Sequence, residues 1–179
     1  MQTAVAIAIL QSAPVRLQNL AAIQLGVHLR WNGRAEEDLH LTFAAEEVKN
    51  GRPLLLPLSG VARQLLAEYL NAYRPAAYES CYLFVNPNGS RKTPGALRDG
   101  IQKAIRRELG FAMTPHQFRH LAGELILRHR PGAYGLVQQL LGHSSIKTTM
   151  SFYTGDQSRM AGRVLDQILT EHQGGAARA

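Results

Sequence analysis

The chain has 179 residues, 45% of them apolar and 18% charged, enough for one domain with a proper core and the wrong composition for a disordered segment. Its net charge of +7 rests on sixteen arginines against four lysines. That balance makes a polyanionic partner plausible without identifying one, since arginine's planar fork suits bidentate phosphate contacts. The single cysteine, Cys81, excludes an internal disulfide and a Cys-based zinc site. It is expected to be a buried small side chain in a reducing compartment.

The first ten residues, Met1 to Leu10, are apolar but lack a basic leader. They are too short to span a bilayer and predict a core helix over 3–12. Pro14 interrupts it. A second helix is expected over 15–24, with Leu17, Leu20, Ala21 and Leu25 at helical spacing. The period then changes. Val27–Trp31, Leu39–Ala45 and Pro53–Leu58 read as three short strands, with Asn32-Gly33 and Asn50-Gly51 as turn signals, which predicts a small antiparallel sheet.

Beyond residue 59 the pattern is helical. Ser59 is placed to cap a helix running to about Tyr73, before Pro75. The chain is extended near Leu83 and turns at Asn86-Pro-Asn-Gly89. Thr93-Pro94 and Thr114-Pro115 are N-cap and first-turn pairs. They open a helix closed by Gly110, with Leu97, Ile101, Ala104 and Ile105 inward, and another reaching about His129 before Pro131-Gly132. Shorter helices are expected at 133–141 and 145–151, and an amphipathic one over 157–171, before a frayed tail. Mainly helical with one small sheet, the expected class is α+β.

Two polar clusters stand out. In Thr114-Pro-His-Gln-Phe-Arg-His120, His116 and Arg119 lie three apart in the first turns of a helix, where free amides and the dipole favour an anion. Taken alone, the pair reads as a solvated face. A zinc pair of His116 and His120 is disfavoured, because no glutamate stands between them in the hydrolase pattern. His120 is expected to brace its neighbours or cap a carbonyl. The second cluster, Leu141-Gly-His-Ser-Ser-Ile-Lys-Thr-Thr-Met-Ser-Phe-Tyr153, carries a glycine turn, His143 and a phenol at Tyr153. A phenol can be a covalent nucleophile, and arginine and histidine can hold phosphate oxygens.

Together these stretches resemble the catalytic domain of tyrosine recombinases, the phage-integrase family, over about residues 1–172. Ala13-Pro-Val-Arg-Leu-Gln-Asn-Leu20 resembles the family's first arginine box and carries over Arg16, with Asn19 in place of the usual acidic residue. Val48-Lys49-Asn50-Gly51 resembles its hairpin lysine turn, carrying over Lys49. Tyr153 stands ten residues after His143, where many members have nine and this chain has Phe152. Because phenylalanine has no hydroxyl, Tyr153 is the nucleophile the resemblance implies.

The implied site is therefore Arg16, Lys49, His116, Arg119, His143 and Tyr153. The implied activity is site-specific cleavage and rejoining of DNA strands through a 3′-phosphotyrosyl bond, with no cofactor and no metal. Partners would be double-stranded DNA and further copies of the chain, as a tetramer on paired sites, in the cytoplasm at the nucleoid. The expected domain is 1–172 with a tail at 173–179, and the family's N-terminal DNA-clamping domain is not recognised in the chain. Rival readings are a type IB topoisomerase-like relaxation activity, a non-catalytic DNA-binding module of the same fold, and a helical interaction domain unrelated to DNA.

Overall fold

A computed structural model of the chain describes residues 1–31, 39–58, 60–74 and 79–142. Asn32-Gly33, the expected helices at 145–151 and 157–171, and the tail lie outside the described residues. Helix α1 spans Gln2–Ser12 and is apolar nearly all round, with Val5, Ala6, Ala8, Ile9 and Leu10 buried. Such a helix belongs in the centre of a domain. It packs against three later helices: α3 (Gly60–Glu68), α4 (Pro94–Leu109) and α5 (Pro115–His129). Pro14 ends it, and α2 (Leu17–Ala22) starts with Arg16 as its extended N-cap. This second helix is shorter than expected, because Gln24 and Leu25 leave it for isolated bridges to Tyr82 and Leu29.

Three strands, β1 (Leu29–Trp31), β2 (Leu39–Phe43) and β3 (Leu54–Pro57), form an antiparallel sheet in sequence order. Leu29 pairs with Leu41, and Leu41 with Leu56, so one face lines up Leu29, Leu39, Leu41, Phe43, Leu54 and Leu56 against the core. This is the period-2 burial expected of a sheet covered on one side. Between β2 and β3 the chain makes one 3₁₀ turn, Ala45–Glu47, and then the Val48–Gly51 turn. Gly51 there takes φ +64°, in the left-handed region where glycine has no Cβ penalty.

After α3 the chain continues as a π-helical turn at Tyr69–Tyr73, where the sequence pattern predicts an unbroken helix. The buried Tyr69 donates its hydroxyl to the Leu83 carbonyl at 3.1 Å, which holds the wider turn against the core. Cys81 is exposed, a correction to the buried side chain expected of it. Its carbonyl accepts from the Leu25 amide, but its side chain stands outside, two residues before the chain enters the core at Leu83.

Both threonine–proline starts cap as expected. Thr93 accepts from the Ala96 amide at 3.1 Å. Thr114 and Gln117 exchange two bonds across the first turn of α5. Helix α6 (Tyr134–Leu141) is closed by Gly142, whose left-handed conformation (φ 57°, ψ 48°) turns the chain sharply. The domain is thus α+β and mainly helical, with its large core between α1, the sheet and the helices around it.

Candidate active site

The Leu141–Gly142 corner collects three distant parts of the chain. Arg16 donates through Nη2 to the Gly142 carbonyl at 3.2 Å, across 126 positions of sequence. Arg119 donates from its two terminal nitrogens to the carbonyls of Pro14 and Leu141. A Cβ placed on Gly142 would lie 3.3 Å from Asn50 Nδ2, so the turn carrying Lys49 also rests on this corner. Positive φ and this close approach both call for glycine at position 142.

Arg119 is buried, whereas His116, three residues earlier on the same helix, is exposed. The solvated face that the pair suggests when taken alone does not form. Instead the guanidinium turns inward and holds the α1–α2 connection and the end of α6 in one place. His116 pairs with His120, Nε2 to Nε2 at 2.9 Å, with the rings edge to face at 4.4 Å between centroids. The bracing expected of His120 is therefore directed at His116.

The pKa of His116 is lowered, first by partial desolvation of its ring and then by the neighbouring His120 and Arg119. Both causes disfavour the imidazolium, so the ring is neutral near pH 7. A neutral imidazole beside an arginine can accept a proton that a cation could not. Among the described residues no group of three or more His, Cys, Asp or Glu side chains gathers in one place.

Lys49 is exposed in the turn between β2 and β3. Of the residues that hold this turn, Asn19 was noted in the sequence for another reason, and His28 and Glu47 were not singled out. Asn19 is 5% exposed and donates from Nδ2 to the Glu47 carbonyl at 2.9 Å. His28 is 2% exposed, and its Nδ1 accepts from the Gln24 amide at 2.9 Å. The ring proton therefore sits on Nε2 and is donated to Glu47 Oε1 at 2.8 Å. The other carboxylate oxygen accepts from the Ala44 amide at 2.8 Å. Glu47 is held below the usual carboxylate range, chiefly by the His28 bond and further by the Ala44 amide, against partial desolvation.

Asn19, in place of the acidic residue of the family pattern, faces a carbonyl oxygen, and only a donor serves there. The one sequence signal for this arrangement was the amide itself at a position where the family pattern carries an acid.

Arg16, Arg119 and the Lys49 turn thus converge on the two residues that precede His143. His143 and Tyr153 themselves lie outside the described residues.

The description "Phage integrase family" matches residues 1–159. The chain is 31% identical over 150 residues to tyrosine recombinase XerC of Pseudomonas aeruginosa, an alignment covering 84% of this chain and 46% of that protein. It thus spans about half the length of this curated relative. Two solved structures share its fold. XerA recombinase has TM-score 0.67 at 20% identity, covering 96% of this chain and 58% of that one. XerH site-specific recombinase, bound to palindromic difH substrate in a post-cleavage complex, has TM-score 0.71 at 20% identity, covering 90% and 44%. Among the described residues no helix is long and apolar enough to cross a membrane.

Proposed function

The chain belongs to the phage integrase family, and from that premise we propose that it breaks and rejoins DNA strands at specific sites through a covalent phosphotyrosyl intermediate. The observation that carries the reading is the convergence of Arg16, Arg119 and the Lys49 turn on the Leu141–Gly142 corner, from which the chain runs on to His143 and Tyr153. The meeting of four separate sequence boxes at one corner supports a shared chemistry. Residues 1–172 are the proposed catalytic unit, acting on double-stranded DNA as a tetramer on paired sites, in the cytoplasm at the nucleoid.

In this mechanism the Tyr153 phenol oxygen attacks the scissile phosphorus, and the bond from phosphorus to the 5′-oxygen breaks. The product is a 3′-phosphotyrosine and a free 5′-hydroxyl. His116, neutral near pH 7, accepts the phenol proton. Phenols ordinarily titrate near about pH 10, so such a base is needed. Lys49 gives a proton to the leaving 5′-oxygen. Arg16, with donors beyond the one spent on Gly142, and His143 hold the non-bridging oxygens as charge builds on them. Arg119 keeps the corner in place and sets a positive charge behind it. Because the phosphodiester bond energy is kept in the covalent link, rejoining requires no nucleotide hydrolysis.

The test begins by selecting bound duplexes from a random library and converting them to suicide duplexes that trap the cleaved strand. The expected result is a covalent protein–DNA band on a denaturing gel for the wild-type chain and none for Tyr153→Phe, which loses one oxygen and keeps the ring. An adduct that persists in Tyr153→Phe makes another residue the nucleophile. Selected duplexes that bind without any adduct would identify a non-catalytic DNA-binding module, and relaxation of supercoiled plasmid without strand exchange a topoisomerase-like enzyme.

A further inference from the structure

Among the described residues, the Tyr69 phenol apart, three polar side chains are buried: Asn19, His28 and Arg119. Burying such groups is costly unless each is bonded, so where their bonds go shows what they hold in place. Arg119 holds the corner before His143. The other two both end on one residue, Glu47, which is itself partly exposed and stands two positions before Lys49.

Glu47 is fixed at three acceptors by three parts of the chain. Its carbonyl takes the Asn19 amide from α2, one carboxylate oxygen takes the His28 ring, and the other takes the Ala44 amide of its own turn. His28 is held in its turn by Gln24 and by a tilted contact with Phe43, 4.8 Å between ring centroids. Asn19 lies one helical turn after Arg16 on the same helix. A continuous bonded path therefore runs from the Arg16 helix through Asn19 and Glu47 into the turn that carries Lys49. Both Glu47 oxygens are already occupied, so the residue's contribution is to location rather than to charge at the phosphate.

We propose that Asn19, His28 and Glu47 act together as positioning residues that set the Lys49 ammonium at a fixed place relative to Arg16, and hence relative to the leaving 5′-oxygen. This rests on the proposed role of Lys49 as proton donor. Lys49 is exposed on a flexible four-carbon stem, and among the described residues no side-chain bond holds it. The Asn50 amide beside it approaches Gly142, and among the described residues its Nδ2 has no hydrogen-bond partner. That contact gives shape but no bond. Among the described residues the Asn19 bond is the one hydrogen bond that ties this turn to α2, and the His28 and Ala44 bonds fix Glu47 itself.

The experiment compares two suicide duplexes, one with the ordinary bridging oxygen and one with sulfur at the scissile 5′ position. A thiolate leaves without being protonated, so the sulfur duplex removes the need for a proton donor while leaving the attack unchanged. Single-turnover cleavage is measured for wild type, Lys49→Ala, Asn19→Asp, Asn19→Ala, Glu47→Ala, Glu47→Gln and the exposed neighbour Glu46→Ala, with duplex binding followed by fluorescence anisotropy.

Asn19→Asp and Glu47→Ala should slow cleavage of the oxygen duplex by on the order of 10- to 100-fold, the scale for a catalytic group displaced by up to an ångström. They should recover to within about threefold of wild type on the sulfur duplex, with binding unchanged, and Glu46→Ala should match wild type on both. Adding Lys49→Ala to Asn19→Ala should cost nothing beyond Lys49→Ala alone, because both act on one proton transfer.

If Lys49→Ala is not rescued by sulfur, the donor role itself fails. If Lys49→Ala is rescued but the Asn19 and Glu47 variants stay slow on both duplexes, or are never slow, the positioning proposal is wrong and the donor reading survives. Should Glu47→Ala fail to fold, the milder Glu47→Gln and Asn19→Ala, which keep most of the packing, decide the question.

Discussion

The large core and the small cluster between α5 and α6 meet at the candidate site but are built differently. The large core takes residues from α1, α2, the sheet, α3, α4 and the first turn of α5, many of them with no exposed surface. The small one consists of Leu127, Val137 and Leu141, with Ile126, Tyr134 and Leu140 at its edge. Helix α5 belongs to both, with Phe118 in the first and Leu127 in the second. Arg119, one residue after Phe118, is the polar link between them, donating backwards to Pro14 and forwards to Leu141. Among the described residues a large core and a small cluster, linked by the Arg119 guanidinium and by Leu140 packed against both, set the corner before His143.

That contrast can be broken most forcefully from the large core. Leu10→Ala empties a fully buried place on α1 and should lower stability by about 3–5 kcal/mol, whereas Leu127→Ala in the small cluster should cost about 2 kcal/mol. Urea denaturation of both variants checks this, and equal losses would abolish the distinction between the two clusters.

Arg119→Ala removes the link itself. Two carbonyls lose charge-assisted donors in the interior, so stability should fall by about 3 kcal/mol. Strand cleavage should fall by roughly 10²–10³-fold under conditions where the variant is still folded, the scale for losing a preorganised positive group. Denaturation and the suicide-duplex assay, run on the same preparation, separate the two effects.

Gly142→Ala is a finer cut. Its φ of 57° and the 3.3 Å approach to Asn50 Nδ2 strain any side chain, at about 1–2 kcal/mol. Cleavage should drop further than this loss accounts for, since the corner leads directly to His143. A cleavage loss no larger than the fraction unfolded would make the corner a plain helix cap.

The smallest effect is in acid. The folded pKa of Glu47 is depressed by His28 and Ala44, so its stabilisation is present above its unfolded value and is lost as pH falls through the folded one. With the carboxylate partly open to solvent, the effect should stay under about 1 kcal/mol. Melting temperatures between about pH 6 and 3 should fall less steeply for Glu47→Gln than for wild type. Parallel curves would mean that the carboxylate makes no net contribution.

Much of this protein was written locally. Pro14 after an apolar run, Asn50-Gly51 between alternating strands, and the two Thr-Pro starts each act within a few residues, so helix and strand order followed from periodicity and caps. The sheet and the α4 and α5 boundaries were legible on those terms, whereas the grouping of Arg16, Lys49 and Arg119 came from the family resemblance.

Tertiary structure alone decided how the site is held. That Arg119 turns inward while His116 stays outside, and that Asn19 serves a carbonyl of the lysine turn, depend on partners far away in sequence. Arg119 reaches Pro14 across 105 positions, and Asn19 reaches Glu47 across 28. A buried polar group takes the orientation in which its donors and acceptors are met, and its own segment does not contain the groups that meet them. Periodicity could place these residues on their elements; only the packed chain could say which atoms they hold.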